Sequence, residues 1–197
     1  MGKLVVSELI SVDGIVEDPG GSEGTPQGGW SFRHPAPDGQ AFKFDELMAG
    51  DLMLLGRVTY EGFAAAWPTM EETTGDFGAR MNSMPKVVVS TTLTEATWRN
   101  SQIMSGDVPL GVAKLKEEYD GDILVFGSVT LVDTLRQNGL VDEYRLMVHP
   151  VLVGSGKRLF LDGSVPGDLE LAETRSVGPD VVVLTYRPAA PAAAAAG

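Results

Sequence analysis

Apolar positions fall along the chain in short blocks separated by glycine, proline and aspartate. Lys3 to Ile10 is rich in β-formers and ends before Asp13-Gly14, a turn pair. From Ile15 to Gly39 the pattern dissolves into Gly, Pro and Asp, with Trp30 and Phe32 as the large apolar residues. A loop of that length is functional or disordered more often than idle. Helical spacing returns over Ala41–Ala49 through Phe44, Leu47 and Met48. Leu52–Leu55 predicts a short buried strand and Val58–Ala66 a helix that Pro68 closes, with a further helical turn at Phe77–Asn82. Lys86–Ser90 reads as a strand, followed by a polar stretch over Thr91–Asn100. Val108–Tyr119 predicts a helix, Ile123–Phe126 a strand, and Thr130–Gln137 a helix stopped by Asn138-Gly139. Glu143–Pro150 predicts a strand and Val151–Phe160 an irregular loop. Leu169–Ser176 and Val181–Arg187 predict a closing antiparallel hairpin turned at Gly178-Pro179.

Strands alternating with helices, the central strands apolar throughout, indicate one α/β domain with a mostly parallel sheet covered on both faces. The expected domain spans 1–188. The Ala/Pro-rich end, 189–197, is expected to be a disordered tail. The length, 197 residues, suits one core that needs no staples, and the absence of cysteine excludes disulfides and thiolate chemistry. It also fits a reducing cytoplasm. No run is long and apolar enough to span a bilayer, and the first strand, broken by Ser7, Glu8 and Ser11, is no signal peptide.

Fifteen basic against twenty-seven acidic residues give a net charge of -12. So acidic a chain lacks the footprint of a nucleic-acid or membrane binder. An anionic ligand would need a local cation, which draws attention to "LMLLGRVTYEGF" (residues 52–63), where Arg57 follows an apolar strand and a glycine. "ILVFGSVT" (123–130) repeats the plan of strand, glycine and helix start. Such junctions expose unpaired N–H groups beyond the carboxyl ends of the strands and suit phosphate, although a tight turn alone is the other reading. There is no G-x-G-x-x-G, Walker A or G-x-S-x-G pattern, and "VGSGKRLF" (153–160) reads as a structural loop. His34 and His149 have no partners at metal-ligand spacing. Asp13, in "SVDG", is either a turn former or a group beside a ligand. Asp38, Asp45 and Glu46 read as helix charges.

In order, "SELISVDG", "LMLLGRVTYEGF", "KVVVSTTL", "ILVFGSVTLVDTL" and "VDEYRLMVHPVLVGSGKRLF" resemble the dihydrofolate reductase superfold. The likeness is closer to its branch containing the reductase domain of bacterial riboflavin-biosynthesis deaminase-reductases, and it runs from Lys3 to Arg187. The resemblance implies NADPH laid across the carboxyl ends of the strands. Gly56, Arg57 and Thr59 match the segment in which the arginine meets the 2′-phosphate and the threonine the pyrophosphate. Ser90 and Thr91 match the hydroxyl pair that also approaches the 2′-phosphate. Gly127, Ser128, Val129, Thr130 and Leu131 match the second junction, around the pyrophosphate and nicotinamide. Val12 and Ile15 fall where the nicotinamide ring is flanked.

On the substrate side the resemblance places Gln40, counted back from Gly56, where dihydrofolate reductases carry an acid; a small shift would bring in Asp38 or Asp45. Trp30 and Phe44 are the other expected substrate-side residues, with Trp30 and Phe32 as walls of a lid or as loop anchors. Asp13 is the expected proton relay. These assignments predict an NADPH-dependent reductase of a small pteridine- or pyrimidine-like substrate, cytoplasmic and homodimeric through Tyr144–Val153. A cofactor-binding protein without efficient turnover is the alternative, and a purely structural module a third.

Overall fold

The computed structural model describes residues 1–190. The final residues, 191–197, which hold most of the expected tail, lie outside them. Eight strands form one sheet: β1 (Lys3–Ser11), β2 (Gly50–Gly56), β3 (Lys86–Val89), β4 (Ser101–Met104), β5 (Asp122–Val125), β6 (Glu143–His149), β7 (Leu169–Ser176) and β8 (Val182–Pro188). Their order across the sheet is β4-β3-β2-β5-β1-β6-β8-β7. The six strands from β4 to β6 are mutually parallel, and β8 pairs antiparallel with both β6 and β7. The fold class read from the sequence is therefore the observed one.

Five helices cover the two faces: α1 (Pro37–Ala49), α2 (Arg57–Thr74), α3 (Asp76–Ser83), α4 (Val108–Glu118) and α5 (Val129–Gln137). Strand alternation sorts the core into two layers. Leu4, Val6, Leu52, Leu54, Ile123 and Val125 pack with Val112 and Leu115 of α4 and with Val132 and Leu135 of α5. Val5, Met53, Leu55 and Leu124 pack with Leu47 of α1, Tyr60 of α2 and Met81 of α3.

Two local expectations are corrected. The helix that Pro68 should have closed runs on to Thr74. Proline removes one donor, but the helix is held on both sides of it, through Tyr60 in the core and Glu71 bound by Asn82. The polar stretch after β3 leads into β4, which the short "SQIM" pattern concealed; as an edge strand it is only half buried and needs no apolar run. Lys86 starts β3 as expected, and it is fully buried. Its Nζ donates to the carbonyls of Asn82, Met84 and Arg99 and lies 4.1 Å from the Trp98 ring centre. Burial, reinforced by Arg99 and Arg80, pulls its pKa down to about 8.

One feature of the sheet matters for function. Pairing of β1 with β5 ends at Val6 and Val125, whereas β1 continues to Ser11 along β6. Among the described residues, none pairs as a strand with 7–11 on the β5 side. That leaves a notch at the carboxyl end of the sheet, where open α/β sheets bind their ligands.

Candidate active site

The two glycine junctions, 71 residues apart in sequence, are bolted together. Ser128 Oγ accepts the Gly56 N–H at 2.8 Å, bonds Thr59 Oγ1 at 3.1 Å and donates to the Phe126 carbonyl at 2.9 Å. Gly127 has φ +67°, and a Cβ there would lie 3.1 Å from Thr59 Cγ2 and Oγ1. Glycine is required at this position by backbone conformation and by space. A Cβ on Gly56 would stand 3.4 Å from Ser128.

Directly behind the junctions begin α2 and α5, neither with a side-chain cap on its first N–H groups. Uncapped donors and aligned dipoles at two adjacent helix ends make a cradle suited to a bridged pair of phosphates. The cradle fits a dinucleotide pyrophosphate. Thr130 is exposed at the start of α5, while Val129 and Leu131 are buried in the core and position the turn from behind.

The structure distributes the other expected residues as follows. Arg57 is exposed and holds Glu61 with one guanidinium nitrogen at 3.0 and 2.8 Å. Exposed i,i+4 pairs are worth only about 0.3–0.5 kcal/mol, so the side chain is readily exchanged to another anion. Gly56 pairs with Val89, which places Arg57 beside the end of β3. There Ser90 Oγ accepts from the N–H groups of Thr92 and Leu93, shaping the turn, and Thr91 is exposed. Val12 is 61% exposed at the mouth of the notch.

Three assignments move. Ile15 does not flank the notch; it is buried with Trp30, Val151 and Val153. Trp30 is fully buried, donates to the Glu17 carbonyl at 2.8 Å and packs edge-on against His149. It anchors the 16–34 loop and walls no lid; Phe32, two residues on, is exposed. Asp13 accepts from Ser11 Oγ at 2.6 Å and from the Val153 and Gly154 N–H groups at 3.1 and 2.7 Å, while Arg158 binds its carbonyl. The Ser11 bond, helped by the two amides, draws its pKa down to about 2, so it carries no proton to relay near neutrality. Gln40 is exposed on α1, and Phe44 beside it is half buried.

The sequence reading missed the polar groups that α1 lays against β1. Lys43 Nζ donates to Ser7 Oγ and to Glu46 Oε2 at 3.1 Å, and lies 5.7 Å from the Phe126 ring centre. Glu46 is buried; it also accepts from Ser7 at 2.7 Å and pairs with Arg145 at 3.3 Å. Arg145 continues to Asp122 and Glu143 at 2.7 and 2.8 Å. Beyond it lies a hollow of about 460 Å³ lined by Lys3, Glu143, Arg145, Arg175 and Arg187, none of which belongs to either junction.

Glu8 was missed as well. It occupies an inward position in the series Leu4, Val6, Glu8, Ile10, and a charge at that place in the alternation was the available signal. It is 5% exposed, and its Oε1 has no hydrogen-bond partner among the described residues. Burial raises its pKa to about 8, against the opposing pull of Lys43 and the Gly127 N–H.

The profile of the RibD C-terminal domain family matches residues 2–183, so the chain belongs to that family. Among individual proteins, the uncharacterized protein YyaP of Bacillus subtilis is 30% identical over 187 residues, spanning 93% of this chain and 94% of its own. A Shewanella sp. PV-4 protein, provisionally placed in riboflavin biosynthesis, superposes with a TM-score of 0.73 at 20% identity, over 95% of this chain and 99% of that one. Dihydrofolate reductase from Enterococcus faecalis, solved with NADP(H), gives 0.56 at 14% identity over 96% and 98%. The two structural likenesses establish the dihydrofolate reductase-like fold.

Proposed function

We propose that this protein is an NADPH-dependent reductase that passes a hydride to a small heterocyclic substrate of the pteridine or pyrimidine kind. The observation that carries this reading is the double junction: two glycine turns joined through Ser128, with two uncapped helix N-termini side by side at the carboxyl ends of β2 and β5. Neither a tight turn nor a lone helix start requires that bolt. A reduced nicotinamide would supply the hydride; the protein's part is to bind, orient and exclude water.

The N–H groups at the starts of α2 and α5 would hold the pyrophosphate, with Thr59 and Thr130 beside them. Arg57 and Thr91 would take the 2′-phosphate that distinguishes NADPH from NADH, after Arg57 lets go of Glu61. The notch beyond β5, with Val12 at its mouth, would admit the nicotinamide. Lys43, Phe44, Gln40 and Phe126 supply the substrate side: an aromatic surface with one cation beside it. In a chain of charge -12, Lys43 gives this site a local attraction for an electron-rich ring.

Quenching of tryptophan fluorescence by NADPH and by NADH, together with NADPH oxidation against dihydropteridines, pyrimidinones and cyclic imines, tests the reading. Submillimolar binding of NADPH with turnover of one class supports it. Tight binding without turnover on any of them would make the chain a cofactor-binding protein, and no affinity would leave a structural module. The Gln40 amide cannot stabilise a protonated ring, so dihydrofolate should turn over poorly.

No helix among the described residues is long and apolar enough to cross a membrane. We place the protein in the cytoplasm and propose a homodimer. The segment first expected to be the dimer surface, Tyr144–Val153, is mostly buried within the chain, leaving Leu152 exposed. The assembly would instead use the exposed edge strand β7, with Leu169 and Leu171. Light scattering at micromolar concentration decides it.

A further inference from the structure

We infer that Glu8 is the proton donor of this reductase, a carboxylic acid held in the notch beyond β5 with one oxygen left free for the ligand. The inference rests on the reading above and assigns the acid that Asp13 and Gln40 cannot supply.

Among the described residues the other two buried glutamates are fully occupied: Glu46 by Ser7, Lys43 and Arg145, and Glu143 by Lys3, Arg145 and Arg187. Asp18, also buried, takes the Glu23 and Thr25 N–H groups and the Thr25 hydroxyl. Glu8 alone of these holds a buried oxygen without a partner. A polar group in that state costs stability and returns none, and Leu or Val would complete the inward series of β1.

Its surroundings favour the neutral acid. The charges that act on it are those of Lys43, which lowers its pKa, and Glu46, which raises it, both from α1. On β6 the register partner is the apolar Leu146, and from the β5 side comes the Gly127 turn. Burial outweighs the attraction of Lys43, so the carboxyl is protonated at neutral pH and titrates near it, as a general acid should. Its place is beside Gly127, at the junction where the nicotinamide side of the dinucleotide would lie.

The chemistry balances. The substrate is a small heterocycle with a C=N or C=O bond. Its carbon takes a hydride from the reduced nicotinamide, which leaves oxidised. Its nitrogen or oxygen takes the proton of the Glu8 carboxyl as the π bond is lost. The carboxylate left behind recovers a proton from water after release.

The test uses the full chain labelled with [¹³C]carboxyl glutamate, as wild type and Glu8→Gln, over pH 5–10. Gln is isosteric with the neutral acid and keeps the fold. One resonance should titrate near pH 8 and be missing from the variant. Saturating NADP⁺, whose ring is positive, should lower that midpoint. A midpoint near the ordinary glutamate value, or one indifferent to bound NADP⁺, overturns the assignment and leaves the cofactor reading standing. Failure of NADPH and NADP⁺ to bind at all overturns the reading itself, and this inference with it. On a substrate from the panel that supports turnover, Glu8→Gln should lose roughly 100-fold or more in kcat with the KM for NADPH unchanged. Wild-type kcat should fall above pH 8; an unchanged kcat in the variant overturns the assignment.

Discussion

Glu8 and Asp13 stand five residues apart at the end of β1, and the structure treats them in opposite ways. Asp13 lies in a turn, accepts three hydrogen bonds that tie the first strand to the 151–158 loop, and is an anion under all ordinary conditions. Glu8 is buried in the sheet, lacks a partner for one oxygen, and stays neutral until about pH 8. The acid with the turn motif serves the fold, and the acid that breaks the apolar pattern is the one available to chemistry. A carboxylate saturated by donors is well placed to hold a loop; an undersatisfied one is well placed to meet a ligand.

Stability measurements in urea sharpen that contrast. The largest effect is expected at Glu8. Its folded-state pKa lies above its unfolded one, so the native state binds more protons between pH 4.5 and 8. Wild-type stability should therefore fall as pH rises through that window, and Glu8→Gln should abolish the fall. By pH 9 the variant should be the more stable by on the order of 5 kcal/mol, since one pKa unit corresponds to about 1.4 kcal/mol. Parallel pH profiles for the two proteins would remove the contrast.

Asp13→Ala should act the other way, destabilising by about 2 kcal/mol at pH 7 through the lost charged hydrogen bonds. Because its folded pKa is depressed, that contribution is present above the unfolded value, near 3.8, and is lost as pH falls through about 2. An Asp13→Ala protein as stable as wild type would show that the loop is held by other means.

Gly127→Ala tests the junction between them. The left-handed backbone and the close Thr59 contact predict a loss of roughly 1–2 kcal/mol, with NADPH affinity falling further than stability because the cradle is displaced. The smallest change in stability belongs to Arg57→Ala, within about 0.5 kcal/mol, as only the surface pair with Glu61 is lost. Its effect should appear in the ratio of NADPH to NADH affinity, on the order of a hundredfold. Equal losses for both cofactors would remove Arg57 from the phosphate.

The sheet, five of its six parallel strands and the closing hairpin were legible because each central strand is a continuous apolar run, and burial on both faces demands that pattern. The two glycine junctions were legible for the same local reason: the apolar run ends, a glycine turns the chain, and a helix starts. Ile15 and Trp30 were placed wrongly because an apolar residue in a long loop can face a ligand or a core with equal ease. Only the positions of Val151, Val153 and His149, more than a hundred residues away, settle which. Asp13 was misassigned because its donors at Val153 and Gly154 come from the far end of the chain.

Local composition and spacing thus determined the elements, their α/β order and the glycines that the turns require, since these follow from backbone sterics and periodicity within a few residues. Tertiary structure alone decided that Ser128 bolts Gly56 to Gly127, that Lys43 and Glu46 reach Ser7, and that β5 stops short of β1 and leaves the notch at Glu8. Whether a carboxyl group is satisfied or left to function depends on which distant donors reach it and on the water excluded around it. Neither quantity exists until the chain has folded.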